Sequence, residues 1–245
     1  MGTQRTGSTA LFRTLNFHPH IACGPEWVLK TPYAKKIDTT ERLLNGDFSG
    51  LPPGRQEMIS ERLTEDTQWL GFKILFRSSD QWYFHPALSP ALWIDRLSDF
   101  IRWLSKRSDI HVIHICRNDH IDWLKSKYLA STTGRYGAKP YPEGSKVVIP
   151  VLEAVKRLRA KEWIDLRISS IADTNPYIRI NYEDFLQSRW ATIARLMDFL
   201  ESDIGLISSI DYKKLKKQSK GSPSDYIVNY SELADAVASR FSERR

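Results

Sequence analysis

The sequence predicts an α/β fold in which helices cover a central parallel sheet. Three apolar segments are predicted to be buried strands, Gly71–Phe76, His111–Cys116 and Tyr177–Asn181. Helical segments separate them, and strands that alternate with helices form parallel βαβ units whose sheet is buried on both faces. No long Pro/Ser/Gly-rich linker divides the chain, so residues 1–245 are predicted to form one domain. Ligands of such sheets bind at the carboxyl ends of the strands.

The helices begin and end at recognisable signals. The first is predicted from the N-terminal glycine-rich segment to about Asn16, before the sequence His18-Pro19-His20. Apolar residues at helical spacing predict another over Trp93–Ser105, and a third runs from about Asp119 to Ser131. Pro150 suits the first turn of a long helix that continues to about Ala172, and a last helix follows the third strand.

The N-terminal segment has the spacing of a phosphate-binding loop, since Gly2-Thr3-Gln4-Arg5-Thr6-Gly7-Ser8-Thr9 leads into an apolar helix. Glycines permit a tight turn, and backbone N–H groups and the helix N-terminus attract an anion. Ser8 stands where a nucleoside-triphosphate loop has its lysine, and Arg5 supplies a cation inside the loop instead. The hydroxyls of Ser8 and Thr9 can donate to the same anion. The loop therefore favours phosphate or sulfate binding and disfavours ATP or GTP hydrolysis.

A second candidate segment begins where the strand His111–Cys116 ends. Arg117 directly follows this strand, and Ser126 lies on the predicted helix after it. A cation at a strand terminus and a hydroxyl some two turns into the next helix can converge on one phosphate.

These segments together resemble the sulfotransferases that use 3′-phosphoadenosine 5′-phosphosulfate as donor. The sequence of residues 4–9, Gln-Arg-Thr-Gly-Ser-Thr, is most similar to the bacterial carbohydrate sulfotransferases of the trehalose, nodulation and lipopolysaccharide type. The resemblance implies a three-layer, P-loop-like fold, with the strand before the loop largely missing here. It implies sulfuryl transfer from that nucleotide to a hydroxyl of a carbohydrate or glycolipid, without a metal. It extends to about Ala238 and is weakest at 31–69 and 132–150, where acceptor recognition is expected.

The resemblance also implies roles for individual residues. The implied donor-binding residues are Gln4, Arg5, Thr6, Gly7, Ser8, Thr9, Arg117, Ser126, Lys217 and Gln218. The first six would bind the 5′-phosphosulfate and the next two the 3′-phosphate, for which the more widespread family spacing is one residue shorter. The last two lie in a basic segment that resembles a loop closing over the nucleotide.

Two residues are implied as catalytic. Glu26 is expected to deprotonate the acceptor hydroxyl, with Trp27 excluding water beside it, and Arg5 to stabilise charge on the departing oxygen. Lys30 and Lys73 are weaker candidates for a second cation. Residues 180–186 resemble the family's strand and Tyr-Glu-Asp-Leu segment, in which Glu183 and Asp184 are expected to stabilise the helix that follows.

Composition limits the classes of partner. Lys and Arg (36) exceed Asp and Glu (29), which favours anionic ligands. The sequence contains no zinc-finger or RNP-like motif, so nucleic acid is not expected as a partner, and no apolar run reaches transmembrane length. Cys23 and Cys116 form no CxxC pair, which argues against a disulfide framework and for the cytoplasm. No metal-ligand cluster is expected, since His111 and His114 point to opposite faces of a strand.

Two other functions stay open at this level. A P-loop kinase or other nucleotide phosphotransferase would share the general fold, but Ser8 in place of lysine argues against it. A catalytically inactive nucleotide- or glycan-binding relative is compatible with the missing strand. Tyrosine-containing peptides are a further possible acceptor class.

Overall fold

In the computed structural model, residues 1–3, 5–24, 36–76, 98–136, 140–207 and 221–241 are described. Within these ranges the strands are β1 (Gly2–Thr3), β2 (Ile21–Gly24), β3 (Trp69–Phe72), β4 (Leu75–Phe76), β5 (Val112–Cys116) and β6 (Tyr177–Asn181). Among them β4, β1, β5 and β6 form a parallel sheet in that spatial order, and β2 pairs with β3 in a second parallel sheet. The α/β class and the parallel strands predicted from the sequence are thus confirmed.

The helices of the described ranges are α1 (Ser8–Leu15), α2 (Lys36–Leu44), α3 (Pro53–Ser60), α4 (98–104), α5 (His120–Thr133), α6 (Val151–Ser169), α7 (Tyr182–Gln187), α8 (Arg189–Phe199), α9 (Pro223–Tyr226) and α10 (Tyr230–Phe241). Asp119 caps α5, because its carboxylate accepts the N–H of Asp122 at 2.8 Å. Pro150, expected in the first turn of the long helix, is the N-cap of α6, one residue before the helix begins. None of the helices described is both long and apolar enough to cross a bilayer.

One strand prediction is wrong. Residues 71–76 are not a single strand: Gly71 and Phe72 belong to β3, Leu75 and Phe76 belong to β4, and these strands lie in different sheets. Lys73 lies at the break, and its ammonium donates to the hydroxyl of Thr9 at 3.1 Å. A lysine inside a buried strand would lose its hydration, whereas a break brings it to a polar partner in the loop.

Helices pack against both sides of β5, as the alternation of its residues shows. Val112 packs with α4 and α6, and His114 approaches Asp165 of α6. Ile113 and Ile115 face the opposite way, into a cluster with residues of α1 and α8. Because both faces are covered, β5 is apolar almost throughout instead of alternating with polar residues.

The N-terminal loop starts from the middle of the sheet. β1 comprises two residues and lies between β4 and β5, where Gly2 is in register with Leu75 on one side and Ile115 on the other. A Cβ on Gly2 would lie 2.6 Å from the carbonyl oxygen of Ile115, so only glycine allows this approach. The loop therefore emerges at the carboxyl edge of the strands, where ligands of parallel sheets bind.

Candidate functional site

The loop after β1 has the backbone geometry of an anion-binding turn. Arg5 (φ 65°) and Gly7 (φ 80°) are left-handed, while Thr6 between them is not. Such alternation turns successive N–H groups toward one side. α1 begins at Ser8, and the structure shows neither a side-chain cap nor an acidic residue in its first turn. Its first N–H groups and the positive end of its dipole are therefore directed at the loop.

Arg5 joins this loop to α5 and to the segment that follows α5. Its Nε donates to Ser126 Oγ at 3.0 Å, and its Nη2 donates to the hydroxyl of Tyr141 at 2.9 Å. Its Nη1 donates to the carbonyl oxygen of Tyr136 at 2.9 Å. The structure thus brings together Arg5 and Ser126, two of the residues expected to bind the donor.

Arg117 contacts the backbone of the loop. Its side chain is buried, with 3% of the residue exposed, and Nη1 donates to the carbonyl oxygen of Arg5 at 3.0 Å. Nη2 forms an ion pair with Asp122, and the guanidinium lies 4.6 Å from the ring centroid of Tyr182. Arg117 therefore lies beside the loop, and its described contacts are to the protein's own groups.

The same carboxylate also pairs with a second cation. Asp122 Oδ2 contacts Arg117, and Oδ1 contacts the ammonium of Lys125, which is fully buried on α5. Two cations thus share one carboxylate beneath the loop. Lys125 is also the residue at the shorter family spacing from Arg117, but Ser126 is the one that contacts Arg5.

A family model described as "Sulfotransferase family" matches residues 1–204. The chain belongs to the sulfotransferase family. A search of curated proteins finds no match. The match ends at Ile204, and α9 and α10 of this sulfotransferase lie beyond it. They pack against α5 nevertheless, because Tyr226 of α9 and Leu233 and Val237 of α10 share a core cluster with residues of that helix.

Several expected site residues of the sulfotransferase lie outside the described ranges. They are Gln4, Glu26, Trp27, Lys30, Lys217 and Gln218. Their roles stay predictions. Of the two weaker cation candidates, Lys73 is described, and its contact with Thr9 places its charge at the start of α1.

The residues that hold Arg5 carry no signal in the sequence. Tyr141 and the carbonyl of Tyr136 lie in the segment 132–150, which was expected to recognise the acceptor. Tyr141 also donates to the carbonyl oxygen of Ser126 at 3.2 Å, so it contacts both partners of the hydrogen bond between Arg5 and Ser126. No local pattern marks it, because its role depends on a loop more than a hundred residues away in the sequence.

The expectation that the chain holds no metal-ligand cluster needs a correction. His114 Nε2 lies 3.1 Å from Cys116 Sγ and 3.4 Å from Asp165 Oδ1, an arrangement that could hold a metal ion. Spacing between histidines alone did not reveal it, since Asp165 comes from α6. Lys161 donates to Asp165 at 2.8 Å, so the carboxylate already has a cation. Burial lowers the pKa of His114, with Asp165 opposing, and raises the pKa of the Cys116 thiol to about 12.

Two cavities border these elements. One of about 170 Å³ is mostly apolar and lies along α1, where Ser8 and Lys73 form part of its lining. The other, of about 300 Å³, is lined by Asp119, Asp122, Tyr182, Glu183, Leu186 and Gln187. Its three acidic residues make it unsuitable for a phosphate.

Proposed function

We propose that this sulfotransferase transfers a sulfuryl group from 3′-phosphoadenosine 5′-phosphosulfate to a hydroxyl of a carbohydrate or glycolipid, on a three-layer, P-loop-like fold. The contact between Arg5 Nε and Ser126 Oγ (3.0 Å) carries the proposal. It joins the loop proposed for the 5′-phosphosulfate to the helix proposed for the 3′-phosphate. A donor with phosphates at both positions needs two such segments side by side.

The surplus of positive charge supports an anionic donor. Arg5 and Lys73 lie at the loop, and Arg117 and Lys125 both pair with Asp122 close to it. The start of α1 adds its positive end. Together these groups favour a multiply charged nucleotide over a neutral ligand.

In the proposed reaction, Glu26 accepts the proton of the acceptor hydroxyl as its oxygen bonds to sulfur. The bond between sulfur and the bridging phosphate oxygen breaks, and adenosine 3′,5′-bisphosphate leaves. Arg5 and the N–H groups at the start of α1 stabilise the charge that develops on that oxygen. Lys217 and Gln218 are proposed to close over the nucleotide and exclude water.

We also propose that residues 1–245 form one sulfotransferase domain that acts in the cytoplasm. The packing of α10 against α5 in one core cluster supports a single domain. Cys23 and Cys116 are both free thiols, which fits a reducing compartment.

Isothermal titration calorimetry with adenosine 3′,5′-bisphosphate, adenosine 5′-phosphate and ATP tests the proposal. We expect the bisphosphate to bind most tightly, and Ser126→Ala to weaken it by about tenfold through loss of a hydrogen bond in a charged site. Ser131→Ala is the matched control, because Ser131 lies on α5 but is exposed. The Ser131→Ala variant should bind adenosine 3′,5′-bisphosphate with the same affinity as the wild type.

The outcomes separate the rival functions. Tighter binding of ATP than of the bisphosphate would contradict the proposal and favour a phosphotransferase. Binding of the bisphosphate with no transfer to any of a panel of sugars and glycolipids would favour an inactive relative. Where transfer is observed, Glu26→Gln should abolish it and leave nucleotide affinity unchanged; full activity in this variant would remove Glu26 from the role of base.

A further inference from the structure

The first turn of α7, which directly follows β6, contacts both segments of the proposed donor site. β5 and β6 pair in register until Cys116 and Asn181, so the residues that follow each strand emerge side by side. The chain then continues through Arg117 on one side and through Tyr182 and Glu183 on the other. Arg117, Tyr182 and Glu183 all lie just beyond the ends of these strands, so their contacts are not part of the sheet.

The ring of Tyr182 lies between the loop and Arg117. A Cβ built on Gly7 would lie 2.3 Å from Cδ2 and 2.4 Å from Cε2 of this ring, so the ring edge touches the loop backbone. The guanidinium carbon of Arg117 lies 4.6 Å from the ring centroid, which is a cation–π distance. A single half-buried side chain thus contacts one residue of each segment.

Glu183 holds the turn that follows Arg117. Its carboxylate accepts the N–H of Asn118 at 3.1 Å and the N–H of Asp119 at 3.0 Å. These residues connect β5 to α5, the helix that carries Ser126. The sequence suggested that Glu183 stabilises its own helix, whereas the structure directs its carboxylate to the start of α5. Hydrogen bonds to a carboxylate are stronger than those between neutral groups.

We infer that Tyr182 and Glu183 are positioning residues that fix the distance between the 5′ and 3′ phosphate subsites. This inference rests on the proposed function. A ligand with phosphates at both ends gains from two subsites held at the right spacing, because binding then needs no further ordering. A ligand with only the 5′-phosphate gains nothing from that spacing. Loss of either residue therefore lowers the preference for the bisphosphate, and lowers binding of the monophosphate much less.

The test is the ratio of dissociation constants for adenosine 5′-phosphate and adenosine 3′,5′-bisphosphate, measured by calorimetry. Tyr182→Leu removes the aromatic face and should reduce this preference by about tenfold. Tyr182→Phe keeps the ring and should retain the wild-type preference. Glu183→Gln removes the charge of the carboxylate that accepts the two N–H groups, and it should reduce the preference for the bisphosphate by about threefold to tenfold.

Asp184→Asn is the matched control for Glu183→Gln. Asp184 lies in the same first turn of α7, is exposed, and accepts a hydrogen bond from the side chain of Asn181 at 3.1 Å. It makes no described contact with the β5–α5 turn, so its variant should keep the wild-type preference. Thermal unfolding of every variant shows which proteins are folded at the temperature of the titration. If Tyr182→Leu does not fold, Glu183→Gln alone decides.

A reduced preference in Tyr182→Leu and Glu183→Gln, with a normal preference in Tyr182→Phe and Asp184→Asn, supports the inference. A wild-type preference in Glu183→Gln and in folded Tyr182→Leu overturns the inference and leaves the proposed function intact. So does an equal loss of affinity for both nucleotides. A wild-type protein that does not prefer the bisphosphate overturns the inference and the proposed function together.

Discussion

Replacing Gly7 with alanine should destabilise the loop for two separable reasons. Gly7 is the N-cap of α1 with φ 80°, a left-handed conformation that disfavours residues with a Cβ. The added Cβ would also lie 2.3 Å from Cδ2 of Tyr182, whereas carbon atoms in contact are usually about 3.5–4.0 Å apart. The ring must therefore move by about 1 Å or more, away from its position beside Arg117.

The size of the effect follows from these contributions. The backbone strain, the displaced ring and the weakened contact with Arg117 together lower the free energy of unfolding by about 2–5 kcal/mol. In a chain of 245 residues that corresponds to a decrease of about 4–20 °C in the melting temperature. Differential scanning calorimetry measures it directly.

Gly46→Ala provides the control for backbone strain alone. Gly46 has φ 75°, and nothing lies within 4 Å of the position of its Cβ. Its variant should lose only about 1–2 kcal/mol. A second comparison adds Tyr182→Ala to Gly7→Ala, which removes the atoms that the new Cβ meets. We expect the double variant to be more stable than the sum of the single effects by at least about 1 kcal/mol. Equal losses at Gly7 and Gly46, or strict additivity with Tyr182→Ala, would refute the packing of Gly7 against this ring.

Three further predictions concern the loop, a buried histidine and the C-terminal helix. Lys73→Met removes the ammonium beside Thr9 and should weaken adenosine 3′,5′-bisphosphate by about threefold at low salt, an effect that titrations in high salt should diminish. Burial lowers the pKa of His114 below 6.5, so on acidification the unfolded state takes up a proton at this residue before the folded state does. The free energy of unfolding should therefore fall as the pH decreases below about 6.5. Urea unfolding at pH 7.5 and pH 5.5 measures this, and equal stability at both would contradict it. Leu233 is fully buried on α10, and Leu233→Ala should lower the free energy of unfolding in urea by about 2–5 kcal/mol. Leu166 is exposed, and Leu166→Ala should change that free energy by less than about 0.5 kcal/mol. Similar losses in the two variants would contradict the packing of α10.

The elements that were predicted well carry strong local signals. β6 matches its predicted bounds, Tyr177–Asn181, and α5 begins directly after Asp119, whose carboxylate caps it. Apolar runs, capping residues and prolines determine secondary structure within a few residues of their own position. They can therefore be read directly from the sequence. The sequence does not indicate the break at Lys73, because the break depends on Thr9 at the distant start of α1, whose hydroxyl accepts a hydrogen bond from the ammonium.

For the site, local signals made Arg5 and Ser126 candidates for donor binding, and their roles stay predictions. The structure brings the two side chains into contact. The sequence did not indicate that Arg117 would be buried against Asp122, or that Tyr141 would hold Arg5. Ion pairs and hydrogen bonds of this kind link residues that come together only in the folded chain.

By itself, the sequence determined the class of the protein: an α/β chain of the sulfotransferase family, in whose N-terminal loop Ser8 stands where a nucleoside-triphosphate loop has its lysine and Arg5 supplies a cation. Only the tertiary structure decided how the two proposed phosphate segments are joined. The parallel pairing of β5 with β6 brings Tyr182 beside Arg117, and β1 in the middle of the sheet directs the loop toward both. The physical reason is the carboxyl edge of a parallel sheet, where residues far apart in sequence emerge side by side.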